Sequence, residues 1–211
     1  ALLYEPDHPL ALALLAVSSV QTEPLLADAL LRQVSLLSPE TPAIHYYHAW
    51  HFLTTSRYNE ALDAINLCLE YDPSYLAASI LKILIKFFSG LINEAITIAK
   101  QQLQQYAEGH AVVQSILAIL LNEAGQTQAA QDLTEIAWRE GENNGIIAAN
   151  HCYITAQHNE KKARKMLHTL LDKNNGYLAR ATLLPLVLQL DGIDAAKQLY
   201  QNLLDKNDFN L

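Results

Sequence analysis

The sequence has little of the residue types that metal sites, disulfide frameworks and tight loops require. Its 211 residues include two cysteines, seven glycines, seven prolines and one methionine. Cys68 and Cys152 form no CxxC motif, which excludes the spacing of a zinc site or a redox pair. The sequence contains no glycine-rich phosphate loop, nucleophile elbow or HExxH pair. We therefore expect two reduced, buried thiols, no metal and no cofactor.

Positive charge is also scarce. The chain carries 14 Lys and Arg residues against 22 Asp and Glu residues, a net charge of -8. Such a chain repels nucleic-acid phosphates and anionic membrane surfaces. The apolar stretch PLALALLAV is far shorter than the roughly 20 residues of a membrane span. The composition predicts no direct nucleic-acid contact and no membrane association by this chain.

What the sequence does contain is a repeat. Alanines follow a turn at positions 27, 61, 95, 130, 163 and 196, with spacings of 34, 34, 35, 33 and 33 residues. Pro39 and Pro73 each close a segment twelve residues after Ala27 and Ala61. A fixed period of this size indicates a repeat architecture in which each unit is one supersecondary element.

Each unit is predicted to contain two helices. In YNEALDAINLCLEY, the residues Ala61, Ile65 and Cys68 recur at i, i+4 and i+7, which is one face of a helix. Gly90 and Gly125 lie between the two helices of their units, where a positive φ is easily adopted only by glycine. Two antiparallel helices approach closely only where small side chains meet, so Ala49 is expected to face Ala61 and Ala118 to face Ala130.

The second unit resembles a tetratricopeptide repeat. Ala49, Phe52, Tyr58, Ala61 and Pro73 carry the resemblance. It extends along nearly the whole chain as six helix pairs, at residues 8–39, 42–73, 76–108, 111–141, 145–174 and 177–205. The resemblance implies an all-α fold, a superhelical array of antiparallel helix pairs (an α-solenoid).

The chain departs from the family pattern at three positions. His151 and Ile83 stand where a small residue is usual. Pro185 falls inside the first helix of the last pair, where it is expected to introduce a kink. The segment ALLYEP matches the end of a second helix, so the chain is expected to begin in mid-repeat. We therefore predict a single repeat domain over 1–211, as the C-terminal fragment of a longer protein.

The resemblance also points to a binding surface. In tetratricopeptide arrays the first helix of each pair lines the concave face, and Lys, Arg and Asn on this face grip the C-terminal carboxylates of chaperones. Here the matching positions are aromatic and aliphatic: Tyr46, Trp50, Leu53, Ile80, Leu84, Phe87 and Ile119. Two interpretations stay open. These residues could pack on the next helix pair, or they could bind a protein or peptide partner or a second copy of the chain, because large exposed apolar patches mark partner sites.

Two polar clusters admit a functional and a structural interpretation. His45, His48 and His51 share one helical face and could approach a metal ion, but no carboxylate accompanies them, and structural packing is the better interpretation. Lys161, Lys162, Arg164 and Lys165 could bind phosphate or an acidic partner, although such a cluster is more often a solvated helix face.

Three function classes follow. The favoured one is a regulatory interaction module, because the N-terminal stretch resembles the repeat region that follows a winged-helix DNA-binding domain in bacterial transcription regulators of the enterobacterial invasion-gene activator type. That resemblance implies a cytoplasmic protein whose DNA contact lies upstream. The alternative is a chaperone or secretion-assembly adaptor. An enzyme would have to use Cys152 with His151, but adjacent residues on a helix point about 100° apart.

Overall fold

All the regular secondary structure in the described residues is helical. The computed structural model describes residues 7–20, 22–105, 110–141, 144–173 and 177–205, with the backbone alone for 173, 177–182 and 204–205. These ranges contain twelve helices: α1 (Pro9–Ser19), α2 (Pro24–Leu37), α3 (Pro42–Thr54), α4 (Tyr58–Tyr71), α5 (Leu76–Phe88), α6 (Ile92–Gln105), α7 (His110–Glu123), α8 (Thr127–Gly141), α9 (Gly145–Ala156), α10 (Glu160–Lys173), α11 (Tyr177–Asp191) and α12 (Ile193–Asp205). The predicted all-α class is confirmed. Within these ranges, no helix combines the length and apolar character needed to cross a membrane.

The contacts group the chain into two compact units, Ala1–Ile98 and Ala99–Leu211. The prediction of a single domain therefore stays a prediction. The same holds for the mid-repeat start, which rests on residues 1–6 outside the described part of the chain.

In the first unit, helices pair in chain order, α1 with α2 and α3 with α4. The first helices of successive pairs also pack on one another, since α3 contacts both α1 and α5, and α5 contacts α4 as well. The first helix of a pair thus packs on the pair before it, as in other stacked helical repeats.

The second unit follows the same rule. Its pairs are α7 with α8, α9 with α10 and α11 with α12, and α9 packs on α7 while α11 packs on α9. The second helix of each pair meets the next first helix, as α8 meets α9 and α10 meets α11. Pro185 lies inside α11, and the helix continues past it to Asp191.

The alanines predicted to lie between paired helices are buried. Ala49 and Ala61 have no exposed surface, and neither have Ala118 and Ala130. Around Ala49 and Ala61 a buried cluster joins three helices: Ile65 and Cys68 from α4, and Ala78, Leu81 and Ile85 from α5. Both ends of the predicted alanine contacts are therefore core positions.

In four of the helix pairs, the turn between the two helices contains a residue with a positive φ. Gly90 and Gly125 have φ values of 82° and 77°, as the sequence predicts, and Gly192 has 89°. In the α3–α4 turn a serine occupies the same place, and Ser56 has a φ of 60°. This conformation is costly for a residue with a Cβ atom.

The register predicted for α9 needs a correction of one residue. His151 was expected at the small position opposite Ala163, but the contact with α10 is made by Cys152, whose Sγ atom lies 3.4 Å from the Ala163 carbonyl oxygen. His151 instead stacks on Trp138 of α8, with ring centroids 5.6 Å apart. The α9–α10 turn also differs from the others, because His158, which stands where the α5–α6 and α7–α8 turns have Gly90 and Gly125, does not have a positive φ.

Candidate protein-binding surface

The seven residues predicted to bind a partner are all half-buried. They are Tyr46, Trp50 and Leu53 on α3, Ile80, Leu84 and Phe87 on α5, and Ile119 on α7. Because α3 packs on α5 in the first unit, the first six lie on two neighbouring helices, and we call them the α3–α5 surface. Ile119 belongs to the second unit and is not part of this surface.

The α3 side of this surface is anchored in the core. Tyr46, Trp50 and Leu53 pack against the buried cluster that includes Ala49, Ala61 and the α5 residues. Each side chain therefore has one side in the core and keeps part of its surface exposed. Anchoring of this kind holds an aromatic side chain in a fixed orientation, which lowers the entropy lost when a partner binds.

Tyr46 gives the surface a polar group beside its apolar ones. Its ring lies 5.5 Å from the rings of Tyr47 and Tyr75. Burial raises the pKa of Tyr46, and the charges of Tyr47 and Cys68 raise it further. The phenol therefore stays protonated at neutral pH and can both donate and accept a hydrogen bond.

The three histidines of α3 do not converge. Their Nε2 atoms contact three different groups: His45 lies 2.6 Å from the Pro39 carbonyl oxygen, His48 2.8 Å from the Ser35 hydroxyl and His51 2.8 Å from the Asp28 carboxylate. Burial lowers the pKa of His48 to about 4, so this ring is neutral at physiological pH. Within the described ranges no three metal-ligating side chains come together. The histidines join α3 to the helix and turn before it, in agreement with their structural interpretation.

Two open clefts lie beside histidines, His48 in the first and His151 in the second. One, of about 320 Å³, is lined by α2, α3 and α4 and contains His48, Glu60 and Asp63. The other, of about 540 Å³, is lined by α8, α9 and α10 and contains Glu135 and Arg139. The second cleft has charges of both signs, and Arg139 already lies 3.6 Å from Glu135. In the first cleft, Glu60 is already paired with Arg57.

The cysteine and histidine pair of α9 lacks the chemistry of a nucleophile and its base. Cys152 is fully buried, and burial raises the pKa of its thiol to about 11. The reactive thiolate is thus disfavoured by the protein. His151 Nε2 lies 3.7 Å from a Glu135 carboxylate oxygen, on a different side of the helix from the Cys152 contact. The arrangement is one of packing.

The basic cluster of α10 lies on an exposed helix face. Lys161, Lys162 and Lys165 are exposed, and Arg164 contacts Glu160 at 2.7 Å and Asp191 at 3.4 Å. Because the one arginine is already paired with carboxylates, the cluster is a solvated face rather than an organised phosphate site.

The sequence analysis did not predict the exposed apolar side chains of α1 and α11. Leu14 on α1 is 53% exposed and Leu188 on α11 is 51% exposed, more than any residue of the α3–α5 surface. A signal was available in the sequence, because α1 contains no charged residue at all.

Comparison with known proteins relates the sequence to a transcription regulator. No family model matches the chain. The transcriptional regulator HilA of Salmonella typhimurium is 31% identical to it over 211 residues, as are the HilA proteins of Salmonella typhi and Salmonella paratyphi A. The matched region comprises 98% of this chain, which spans 37% of the length of these relatives.

Solved structures relate the fold to tetratricopeptide-repeat proteins. A repeat protein of Parabacteroides merdae matches with a TM-score of 0.66 and 13% identity, covering 99% of this chain and 84% of that protein. PilF of Pseudomonas aeruginosa gives 0.62 and 14%, covering 96% and 93%. A tetratricopeptide-repeat protein of Thermus thermophilus gives 0.61 and 18%, covering 81% and 93%. At these identities the likeness is one of fold. This chain thus has the fold of tetratricopeptide-repeat proteins, and nearly all of it is similar in sequence to part of the transcriptional regulator HilA.

Proposed function

We propose that this chain is a protein-interaction module of a transcription regulator, and that it acts by binding another protein. The observation that carries the proposal is the 31% identity with HilA across 98% of the chain. Helical repeats offer long surfaces without chemistry of their own, so binding is the function that this fold supports best.

The charge of the chain supports a division of labour within such a regulator. With a net charge of -8, this region is repelled by DNA phosphates. DNA contact would then belong to a part of the polypeptide outside this chain. A bacterial transcription regulator acts in the cytoplasm, and the proposal places this chain there.

The partner is proposed to bind the α3–α5 surface. Tyr46 and Trp50 lie one helical turn apart on α3, and Ile80 and Leu84 repeat that spacing on α5. Aromatic side chains bury roughly 150–250 Å² each and dominate the energetics of many interfaces. The chemistry of this surface fits an apolar helix or peptide better than an acidic or basic one.

An exchange of segments tests the proposal. The matching segment of HilA is replaced by this chain, and transcription is measured from a promoter that requires HilA. We expect the chimera to activate the promoter, whereas HilA without the segment does not. A chimera that accumulates to the normal level in an immunoblot but remains as inactive as the deletion would overturn the proposal.

The same chimera tests the surface. Trp50→Ala is expected to lower promoter activity, because truncating an aromatic anchor commonly costs about 2 kcal/mol of binding. Tyr71→Ala is the control, since Tyr71 is an aromatic residue of α4 that is 46% exposed and outside the surface. Equal effects of the two substitutions at equal protein levels would exclude the α3–α5 surface as the binding site.

A further inference from the structure

The cleft lined by α8, α9 and α10 is polar. Its volume of about 540 Å³ is within the roughly 300–1,000 Å³ typical of small-molecule sites. All of its lining residues except Ile136 and Ile154 are polar or charged. The three helices belong to the second unit, with α7 before them in the chain and α11 after them. Such a cleft suits a small polar ligand better than an apolar helix.

Two of the lining residues are buried polar side chains without a hydrogen bond. His151 is 4% exposed and Thr134 is 2% exposed. Among the described residues, His151 Nδ1 and the Thr134 hydroxyl have no partner, and they are two of the four buried side-chain atoms of this kind. Buried polar atoms without partners are rare in native proteins, because each of them destabilises the fold.

The other ring nitrogen of His151 is directed at Glu135. Its Nε2 atom lies 3.7 Å from a Glu135 carboxylate oxygen, which is beyond hydrogen-bond distance. Glu135 also lies 3.6 Å from Arg139, whose side chain is 74% exposed. The ring and the carboxylate therefore face each other across a gap, and each can take a further hydrogen-bond partner.

A positive charge approaches the same ring from α10. Burial lowers the pKa of His151, the Glu135 carboxylate opposes this effect, and the Lys162 ammonium adds to it. The ring is therefore neutral at pH 7, and charges of opposite sign lie near it. The cleft combines an anionic group on α8, a neutral imidazole on α9 and a cationic group on α10.

We propose that this cleft binds a small zwitterion of the class of a free α-amino acid. The ligand's ammonium group donates to the Glu135 carboxylate and to Nε2 of His151, in the tautomer with its hydrogen on Nδ1. The ligand's carboxylate accepts from the Lys162 ammonium. A ligand with one charge would be attracted by one of these charged groups and repelled by the other. The cleft shares no residue with the α3–α5 surface, so the proposal is independent of the function proposed above.

The test begins with the amino acids themselves. Each of the twenty standard amino acids is added separately, at ~10 mM, to the 211-residue chain, a concentration that detects millimolar binding. The melting temperature is measured by circular dichroism, and calorimetric titration gives the Kd of each amino acid that raises it. The methyl ester and the N-acetyl form of that amino acid are then titrated, because each lacks one of the two charges.

Three variants locate the binding. Glu135→Gln removes the anionic group and Lys162→Gln removes the cationic group. Lys161→Gln is the matched control, because Lys161 is an exposed neighbour on α10 that does not line the cleft. All three substitutions are at residues with exposed surface, so the variants should keep the helical circular dichroism spectrum of the unaltered chain.

We expect at least one amino acid to raise the melting temperature of the unaltered chain and of Lys161→Gln. Its Kd should rise about tenfold or more in Glu135→Gln and in Lys162→Gln, because a hydrogen bond to a charged group is lost. Neither the ester nor the N-acetyl form should bind.

Three results would overturn the proposal. The first is that none of the twenty amino acids changes the melting temperature. The second is binding that the two cleft variants weaken no more than Lys161→Gln does, which would place the ligand elsewhere. The third is an ester or N-acetyl form that binds as tightly as the amino acid, which would show that one of the two charges is not recognised.

Discussion

The α3–α4 and α11–α12 pairs present the same face of the repeat in two different environments. In the first, Ala49, Ala61 and Ile65 are fully buried beneath α5. In the second, Tyr200 stands in the position of Ile65 and is 53% exposed. The repeat pattern thus fixes which residues face the next helix, and the neighbouring helix decides whether that face is core or surface.

The two faces should differ most in the stability lost when the repeat alanine is replaced by leucine. Ala61→Leu should lower the free energy of unfolding by about 1–3 kcal/mol, because overpacking forces the helices apart. Ala196→Leu places the same side chain beside the open cleft of α11 and α12, which has a volume of about 350 Å³ and is also lined by Leu188 and Tyr200, and should cost less than half as much. Urea unfolding followed by circular dichroism measures both. Equal losses would mean that the two positions are equally enclosed and that the register is wrong.

A second difference concerns pH. His48 has a folded-state pKa of about 4, and the position 135 residues later is Leu183, which does not titrate. Between pH 6.5 and 4 the unfolded chain binds a proton at His48 that the folded chain does not, so lowering the pH destabilises the fold. The loss is expected to be about 3 kcal/mol by pH 4.

The measurement for this pH effect is urea unfolding of the unaltered chain and of His48→Leu at pH 7 and pH 4.5. We expect a smaller loss of stability on acidification in the variant. Identical pH dependence of the two proteins would show that protonation of other groups dominates.

Leucine truncation should separate the two faces by a smaller amount. Leu53 packs against the core beneath α5, whereas Leu188 is half exposed in the cleft. Leu53→Ala is expected to cost about 1–2 kcal/mol and Leu188→Ala about 0.5 kcal/mol or less, in proportion to the apolar area removed from water. Unfolding of the monomer at low protein concentration measures both, and a larger loss at Leu188 would contradict the assignment of the cleft as open.

The smallest expected effect lies in the turns of the two pairs. Each turn contains one residue with a positive φ, Ser56 with 60° between α3 and α4 and Gly192 with 89° between α11 and α12. Ser56→Gly is expected to raise the free energy of unfolding by about 0.5–1 kcal/mol, since the strain of a Cβ atom at positive φ is removed. Gly192→Ser should lower it by a similar amount. Thermal melts measure both variants: the melting temperature should rise for Ser56→Gly and fall for Gly192→Ser. Shifts in the same direction would show that the two turns are not equivalent.

Much of the fold could be predicted from the sequence because it depends on local spacing. The alanine period, the i, i+4, i+7 pattern of α4 and the glycines between helices locate the helices and turns. The one-residue error in α9 arose at the α9–α10 turn, where His158 stands in the place of Gly90 and Gly125 and no positive φ occurs. Register across a turn depends on its geometry, which spacing alone does not give.

The candidate site was less predictable, because exposure depends on neighbours that are distant in sequence. Spacing placed Tyr46 and Trp50 on one side of α3, but it could not show how much of each side chain is buried against the cluster that includes α5. The exposed side chains of α1 were missed because apolar residues in a helix normally indicate core. The absence of any charge on α1 was the available signal.

The claim at the centre of this account is that the same face of the repeat is core where α5 covers the α3–α4 pair and surface on the α11–α12 pair. Amide hydrogen exchange of the folded chain tests it most directly. We predict that the amides of α4 exchange more slowly than those of α12, because α5 covers the α4 face. Equal protection of α4 and α12 would contradict the claim.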